Sequence, residues 1–179
     1  MEAIECIKTR RSVRRFTEEP VTKELVNQII ETAAYAPSWK NTQIARYIIV
    51  TDPAKKERLG ACMLGFTANQ KTAAGAPAIV AVTMITGRSG YERDGSFTTS
   101  QGTHWQSFDA GIATQTFCLA AHANGLGTVV MGIYDEKKVA EVLDIPEGQQ
   151  VAALLALGHP AEEPMIPKRK DVDILVSFQ

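Results

Sequence analysis

The sequence predicts a fold of the α+β class, with a mixed α/β arrangement as the alternative, and three stretches carry that expectation. "VTKELVNQIIETAAYA" (residues 21–36) repeats apolar residues at helical spacing. "PAIVAVTMI" (77–85) and "QVAALLALG" (150–158) are nearly unbroken apolar runs of strand length, the pattern of buried sheet positions. Helical and extended segments alternate irregularly along the chain, which fits either of these classes.

Taken in order, the first helix is followed at once by "TRRSVRRF" (9–16), which places Arg10, Arg11, Arg14 and Arg15 within six positions. In the helix of residues 21–36, Leu25, Val26, Ile29, Ile30, Ala33 and Ala34 form one face, Thr22 is the expected N-cap, and Pro37 ends the helical run. "RYIIVTD" reads as a strand. "DPAKKERLGACM" reads as a helix capped by Asp52, with Pro53 in its first turn. Residues 86–103 carry four glycines and many small polar groups, the composition of a functional loop. A long helix is expected from Trp105 to Asn124, apolar nearly all round and so buried in a core or an interface. "GLGTVVMG" reads as a turn and a short extended piece, "DEKKVAEVLD" as a helix capped by Asp135, and "DILVSF" near the C-terminus as strand-like. That apolar tail is expected to dock on its own domain or on a partner subunit.

Bulk properties bound the function. With 179 residues, one domain spanning 1–179 is expected. Lysine plus arginine (19) and aspartate plus glutamate (20) nearly cancel, so no global field draws the protein onto nucleic acid. The basic cluster is local and suits a small anionic ligand. Cys6, Cys62 and Cys118 form no CxxC pair, which points to a reducing, cytoplasmic setting. Neither a secretory leader nor a membrane span of roughly 18 apolar residues is expected.

Several chemistries lack their residues. His104, His122 and His159 fall in no metal-ligand spacing, and there is no GxSxG elbow and no Walker A sequence. "GLGT" (125–128) follows a helix instead of opening one and lacks the third glycine, so it is a helix-ending turn and not a dinucleotide fingerprint. A second basic cluster, "PKRKD" (167–171), lies at the far end of the chain from the first. Two such clusters read as two sides of a phosphate site, because arginine forks pair bidentately with phosphate oxygens.

The ordered series "RRSVRRF", "AAYAPSWKNTQ…YIIV", "DAGIATQTFCLAAHANGLGT", "IPEGQQVAALLALGHP" and "PKRK" resembles the nitroreductase-like flavoproteins, from about residue 3 to 178. The resemblance implies a central mixed or antiparallel sheet flanked by helices, with a C-terminal tail extending onto the partner subunit of a homodimer. It implies FMN at the subunit interface and NADH or NADPH as co-substrate. The implied activity is an NAD(P)H-dependent oxidoreductase that reduces a nitroaromatic, quinone or similar small acceptor by a ping-pong mechanism. Chemistry would occur at flavin N5, with no catalytic side chain required. Residue by residue, it assigns Arg10, Arg11, Ser12 and Arg14 to the flavin phosphate and ribityl chain, with Arg14 or Arg10 opposing charge near N1–O2. Pro37, Ser38 and Asn41 reach the flavin from the opposite subunit, Asn69 contacts the ring edge, and Gly132 lies close to the ring. Lys168 and Arg169, or in a second alignment Lys168 and Lys170, complete the phosphate site. Phe16 is expected in the core. Trp39, Phe66, Tyr91, Phe97 and Trp105 are candidates to line the acceptor pocket. Met131 stands where some family members carry an acidic residue. A non-catalytic FMN-binding or flavin-storage protein is the alternative, and a phosphate-reading interaction module without flavin is a further one.

Overall fold

The computed structural model describes residues 1–179. Four strands, β1 (Ala45–Val50), β2 (Ala78–Ile85), β3 (Gly127–Met131) and β4 (Gln149–Gly158), form one antiparallel sheet in the order β1-β2-β4-β3. Seven helices accompany it: α1 (Ala3–Thr9), α2 (Lys23–Ala33), α3 (Pro53–Ala61), α4 (Thr67–Gly75), α5 (His104–Ala123), α6 (Glu136–Val142) and α7 (Val172–Leu175).

The unbroken apolar runs of β2 and β4 follow from their central places, because both faces of these strands are covered. On one face Ile79, Ala81, Leu154 and Ala156 pack with Leu59 of α3, Ala73 of α4 and Val139 of α6. On the other, Val80, Val82, Leu155 and Leu157 meet Ile29 of α2 and Phe117 of α5. Thr22, Asp52 and Asp135 cap α2, α3 and α6 as their sequences suggest, each accepting from a backbone N–H three residues on. Phe16 packs against the first of these clusters, as expected. No helix is long and apolar enough to cross a membrane.

Two elements depart from the sequence reading. The sequence pattern does not announce helix α4, because "TANQKTAAG" has no apolar periodicity; it exists through tertiary packing that buries Thr72 and Ala73. The strand-like tail is not a strand within one chain. Residues Val172–Leu175 form a single helical turn, with Val176 N donating to Val172 O at 3.1 Å. Strand preference is a preference for a sheet neighbour, and none is offered to the tail here.

The basic stretch is fixed by backbone pairing at both of its ends. Val13 N donates to Thr128 O at 3.0 Å, which lays Ser12 parallel beside the outer edge of β3. Thr17 N donates to His159 O (2.9 Å) and Ala161 N to Arg15 O (3.0 Å), so residues 15–17 pair with the chain leaving β4. The approach is close: a Cβ on Gly127 would lie 2.7 Å from Val13 Cβ. Gly127→Ala is therefore expected to lower stability by about 1–3 kcal/mol in a denaturant titration, through overpacking. Gly132→Ala meets nothing within 4 Å and should stay within about 0.5 kcal/mol of the parent.

Candidate cofactor site

The pinned stretch brings all four of its arginines to the wall of one cleft. The cleft, about 770 Å³, is lined by Arg10, Arg11, Ser12, Arg14 and Arg15 on one side. On the other are Glu162 and the tail from Pro164 to Pro167, with Arg169. The two basic clusters at the ends of the sequence thus meet across one space. Lys168 is not among the lining residues.

Not every arginine is available there. Glu162 Oε1 accepts from the backbone N–H groups of Arg14 (2.9 Å) and Arg15 (3.2 Å), while Oε2 takes Arg15 Nε at 2.9 Å. These bonds, the Arg14 N–H first, hold the Glu162 carboxyl below the usual carboxylate range. Arg11 Nη1 donates to Lys8 O and Arg10 O, and Arg14 Nη1 to Ser12 O. By contrast, the buried Nε atoms of Arg10 and Arg11 have no partner. A buried donor left unpaired costs about 1–3 kcal/mol. Five arginines against one glutamate favour an anion, and the fork geometry favours phosphate or carboxylate oxygens. The cleft therefore fits a phosphate-bearing ligand.

Behind the arginines, His122 Nε2 lies 2.9 Å from Thr9 Oγ1. Burial, and then the charges of Arg10 and Arg11, push its pKa below the ordinary histidine value, so the cluster's charge at neutral pH belongs to arginine. No group of three metal-ligating side chains exists, and burial pushes the Cys62 and Cys118 thiols up, away from nucleophilic character.

The remaining sequence candidates lie elsewhere in the protomer. Pro37 and Ser38 line a separate cavity of about 350 Å³ between α2, β1 and α5. Asn41 ends the Trp39–Asn41 3-10 turn, where Lys40, Asn41 and Gln43 all have left-handed backbones. Asn69 is half-buried on α4, and Gly132 is exposed just past β3. The arginine cleft adjoins the start of β3, so Gly132 lies at the far end of that strand, roughly 17 Å away at strand rise. Sequence reasoning missed Glu162. The "AEEP" around it carries no local signal, and only the pairing of residues 15–17 with 159–161 brings it to the arginines.

The model of the nitroreductase family matches residues 7–159 of this chain. The chain belongs to the nitroreductase family. Among its relatives, a putative NADH dehydrogenase/NAD(P)H nitroreductase of Archaeoglobus fulgidus is 32% identical over 166 residues, covering 90% of this chain and 87% of that protein. An NADH dehydrogenase of Thermus thermophilus is 30% identical over 177 residues, covering 86% and 84%. Among solved structures, the NADPH:FMN oxidoreductase of Vibrio harveyi complexed with NAD+ superposes with a TM-score of 0.81 at 28% identity, covering 98% of this chain and 76% of that one. The nitroreductase fold accordingly accounts for the antiparallel sheet and its flanking helices.

Because the folded Glu162 carboxyl titrates below its unfolded value of 4.5, the stability it contributes is present above that pH and is lost as pH falls through the lower folded value. Glu162→Gln should remove this component. Acid unfolding followed by circular dichroism should then show a smaller loss of stability between pH 5 and pH 3 than in the parent, from a lower starting point.

Proposed function

We propose that this nitroreductase-family chain is an FMN-dependent, NAD(P)H-driven oxidoreductase working as a homodimer, with residues 1–179 forming one FMN-binding domain. The observation that carries the reading is the cleft where Arg10, Arg11 and Arg14 from one end of the chain meet Arg169 from the other, at the edge of the sheet. Relatives named for FMN and for NAD(P)H support it, including the Vibrio harveyi NADPH:FMN oxidoreductase.

The chain's residues divide the work along β3. At its start Arg10, Arg11, Arg14 and Arg169 hold the phosphate by charge-assisted bonds, and the Ser12 hydroxyl serves the ribityl chain. Lys168, adjacent to Arg169, adds charge from the tail. At the other end Gly132, with no side chain, permits close approach of the ring. Asn69 serves the ring edge, and Pro37, Ser38 and Asn41 of a second copy close the site from the opposite side. Bound FMN would supply hydride acceptance at N5 from NADH or NADPH and ping-pong delivery to a nitroaromatic, quinone or similar acceptor. No protein nucleophile or metal is asked for in that scheme, in keeping with the Cys62 and Cys118 thiols, whose pKa values burial raises.

Dimerisation is supported by apolar side chains that one chain leaves in water: Ile4 and Ile7 of α1, Phe108 of α5, and Ile174, Leu175 and Phe178 of the tail. Exposed apolar surface of this extent marks an interaction site, and the tail is the segment that reaches onto the second copy. A small-molecule acceptor, a cytoplasmic setting, and no nucleic-acid or membrane partner complete the proposal.

The test is the visible spectrum of purified protein titrated anaerobically with NADH or NADPH. Flavin bands that bleach with one nucleotide and return with an acceptor are expected. Bands that persist with both nucleotides would leave a flavin-storage protein, and no flavin uptake from excess FMN would overturn the reading. Replacing Arg10 and Arg14 together by alanine should release FMN with the fold retained; stoichiometric flavin in that variant would contradict the phosphate site.

A further inference from the structure

Helix α5 begins with an unusual pair of buried polar side chains, Gln106 and Asp109, spaced three apart and so on one face. A buried carboxylate is tolerated only where donors surround it. Asp109 is 4% exposed, and its Oδ2 accepts from Trp39 N at 3.0 Å and from Ser89 Oγ at 2.6 Å. Ser89 is fully buried and has one hydroxyl proton, which goes to Asp109. Its oxygen must therefore accept from Thr42 Oγ1, 2.7 Å away. The result is a directed chain, Thr42 to Ser89 to Asp109, joining three segments distant in sequence.

The surrounding contacts fasten the same segments. Gln106 Oε1 accepts from Gly87 N (2.6 Å), Trp105 Nε1 donates to Thr99 Oγ1 (2.8 Å), and Lys40 pairs with Glu92 at 3.2 Å. Trp39 and Trp105 meet with ring centroids 4.6 Å apart. Gly90, with φ +84, has no space for a side chain, since a Cβ would lie 2.6 Å from Gly102 O. The turn so held includes the left-handed residues Lys40, Asn41 and Gln43, a backbone that persists only where its surroundings over-determine it.

We propose that Asp109 is a positioning residue: it locks the Ser38–Gln43 turn and the 87–99 loop into one unit, and so sets where Ser38 and Asn41 meet the flavin and where Trp39 and Trp105 stand. This rests on the flavin reading above. Asp109 acts through Trp39 and Ser89. Its carboxylate also serves both donors through a single oxygen, so an asparagine oxygen can reproduce the geometry with weaker bonds.

The chain contains two tryptophans, Trp39 and Trp105, both at this junction, so intrinsic fluorescence reports it without any ligand. Asp109→Ala should shift the emission maximum to the red, raise acrylamide quenching, and weaken FMN binding by about tenfold or more, the size of one lost charge-assisted hydrogen bond. Asp109→Asn should restore most of both readouts. Ser89→Ala, which keeps the carboxylate and its bond to Trp39 N, should shift both in the same direction by less, and it stands in if Asp109→Ala fails to fold. Parental fluorescence and an FMN dissociation constant within twofold in the folded variants would overturn the proposal. A red shift with unchanged FMN affinity would reduce Asp109 to a structural role and overturn it equally. Failure of the parent to bind FMN would overturn the flavin reading instead, a result seen before any Asp109 variant is compared.

Discussion

The structure depends on the pairing of residues 12–17 with one end of the β3–β4 strand pair, where β3 begins and the chain leaves β4. Three backbone bonds, Val13 N to Thr128 O, Thr17 N to His159 O and Ala161 N to Arg15 O, convert a flexible run of arginines into a fixed strip. Concentrating four cations in six residues is repulsive, and the strip holds them in spite of it. Glu162 supports the strip by accepting two of its N–H groups and neutralising Arg15. Gly127 is required because the strip lies so close to β3 that no side chain fits between them.

From that strip the rest of the proposed site follows the axis of β3. Strand β3 lies at the edge of the sheet, covered by Ser12 at Thr128, and it connects the arginine strip at its start with Gly132 just past its end. The central strands carry no site residues. Their part is rigidity: their middles are apolar and buried on both faces, and the one fully buried polar side chain, Thr83, reaches Gln149 at 3.0 Å. Loops placed on a rigid scaffold are where binding groups are expected, and the Ser38–Gln43 turn and residues 87–99 fit that role.

Much of this was legible in the chain. The strands at 78–85 and 149–158, the capped helices α2, α3 and α6, and the long α5 all announce themselves, because local pattern and tertiary environment agree there. So did the meeting of the two basic clusters, from the chemistry of arginine. What failed was non-local. Helix α4 owes its existence to packing, and the tail's strand preference finds no neighbour in one chain. Glu162 and Asp109 matter because of partners over a hundred and about seventy residues away, respectively. No window along the sequence contains those pairs. Conversely, Pro37, Ser38, Asn41, Asn69 and Gly132 were named from resemblance, and one protomer does not gather them around the arginines.

The central claim, that the pinned arginine strip reads a phosphate, is tested most directly by comparing FMN with riboflavin, which lacks only that phosphate. Dissociation constants measured by fluorescence titration at low and moderate salt suffice. FMN is expected to bind at least about a hundredfold more tightly, the worth of two charge-assisted hydrogen bonds, with the gap narrowing as salt rises. Equal affinity for the two flavins would contradict the claim and return the arginines to the role of a solvated basic surface.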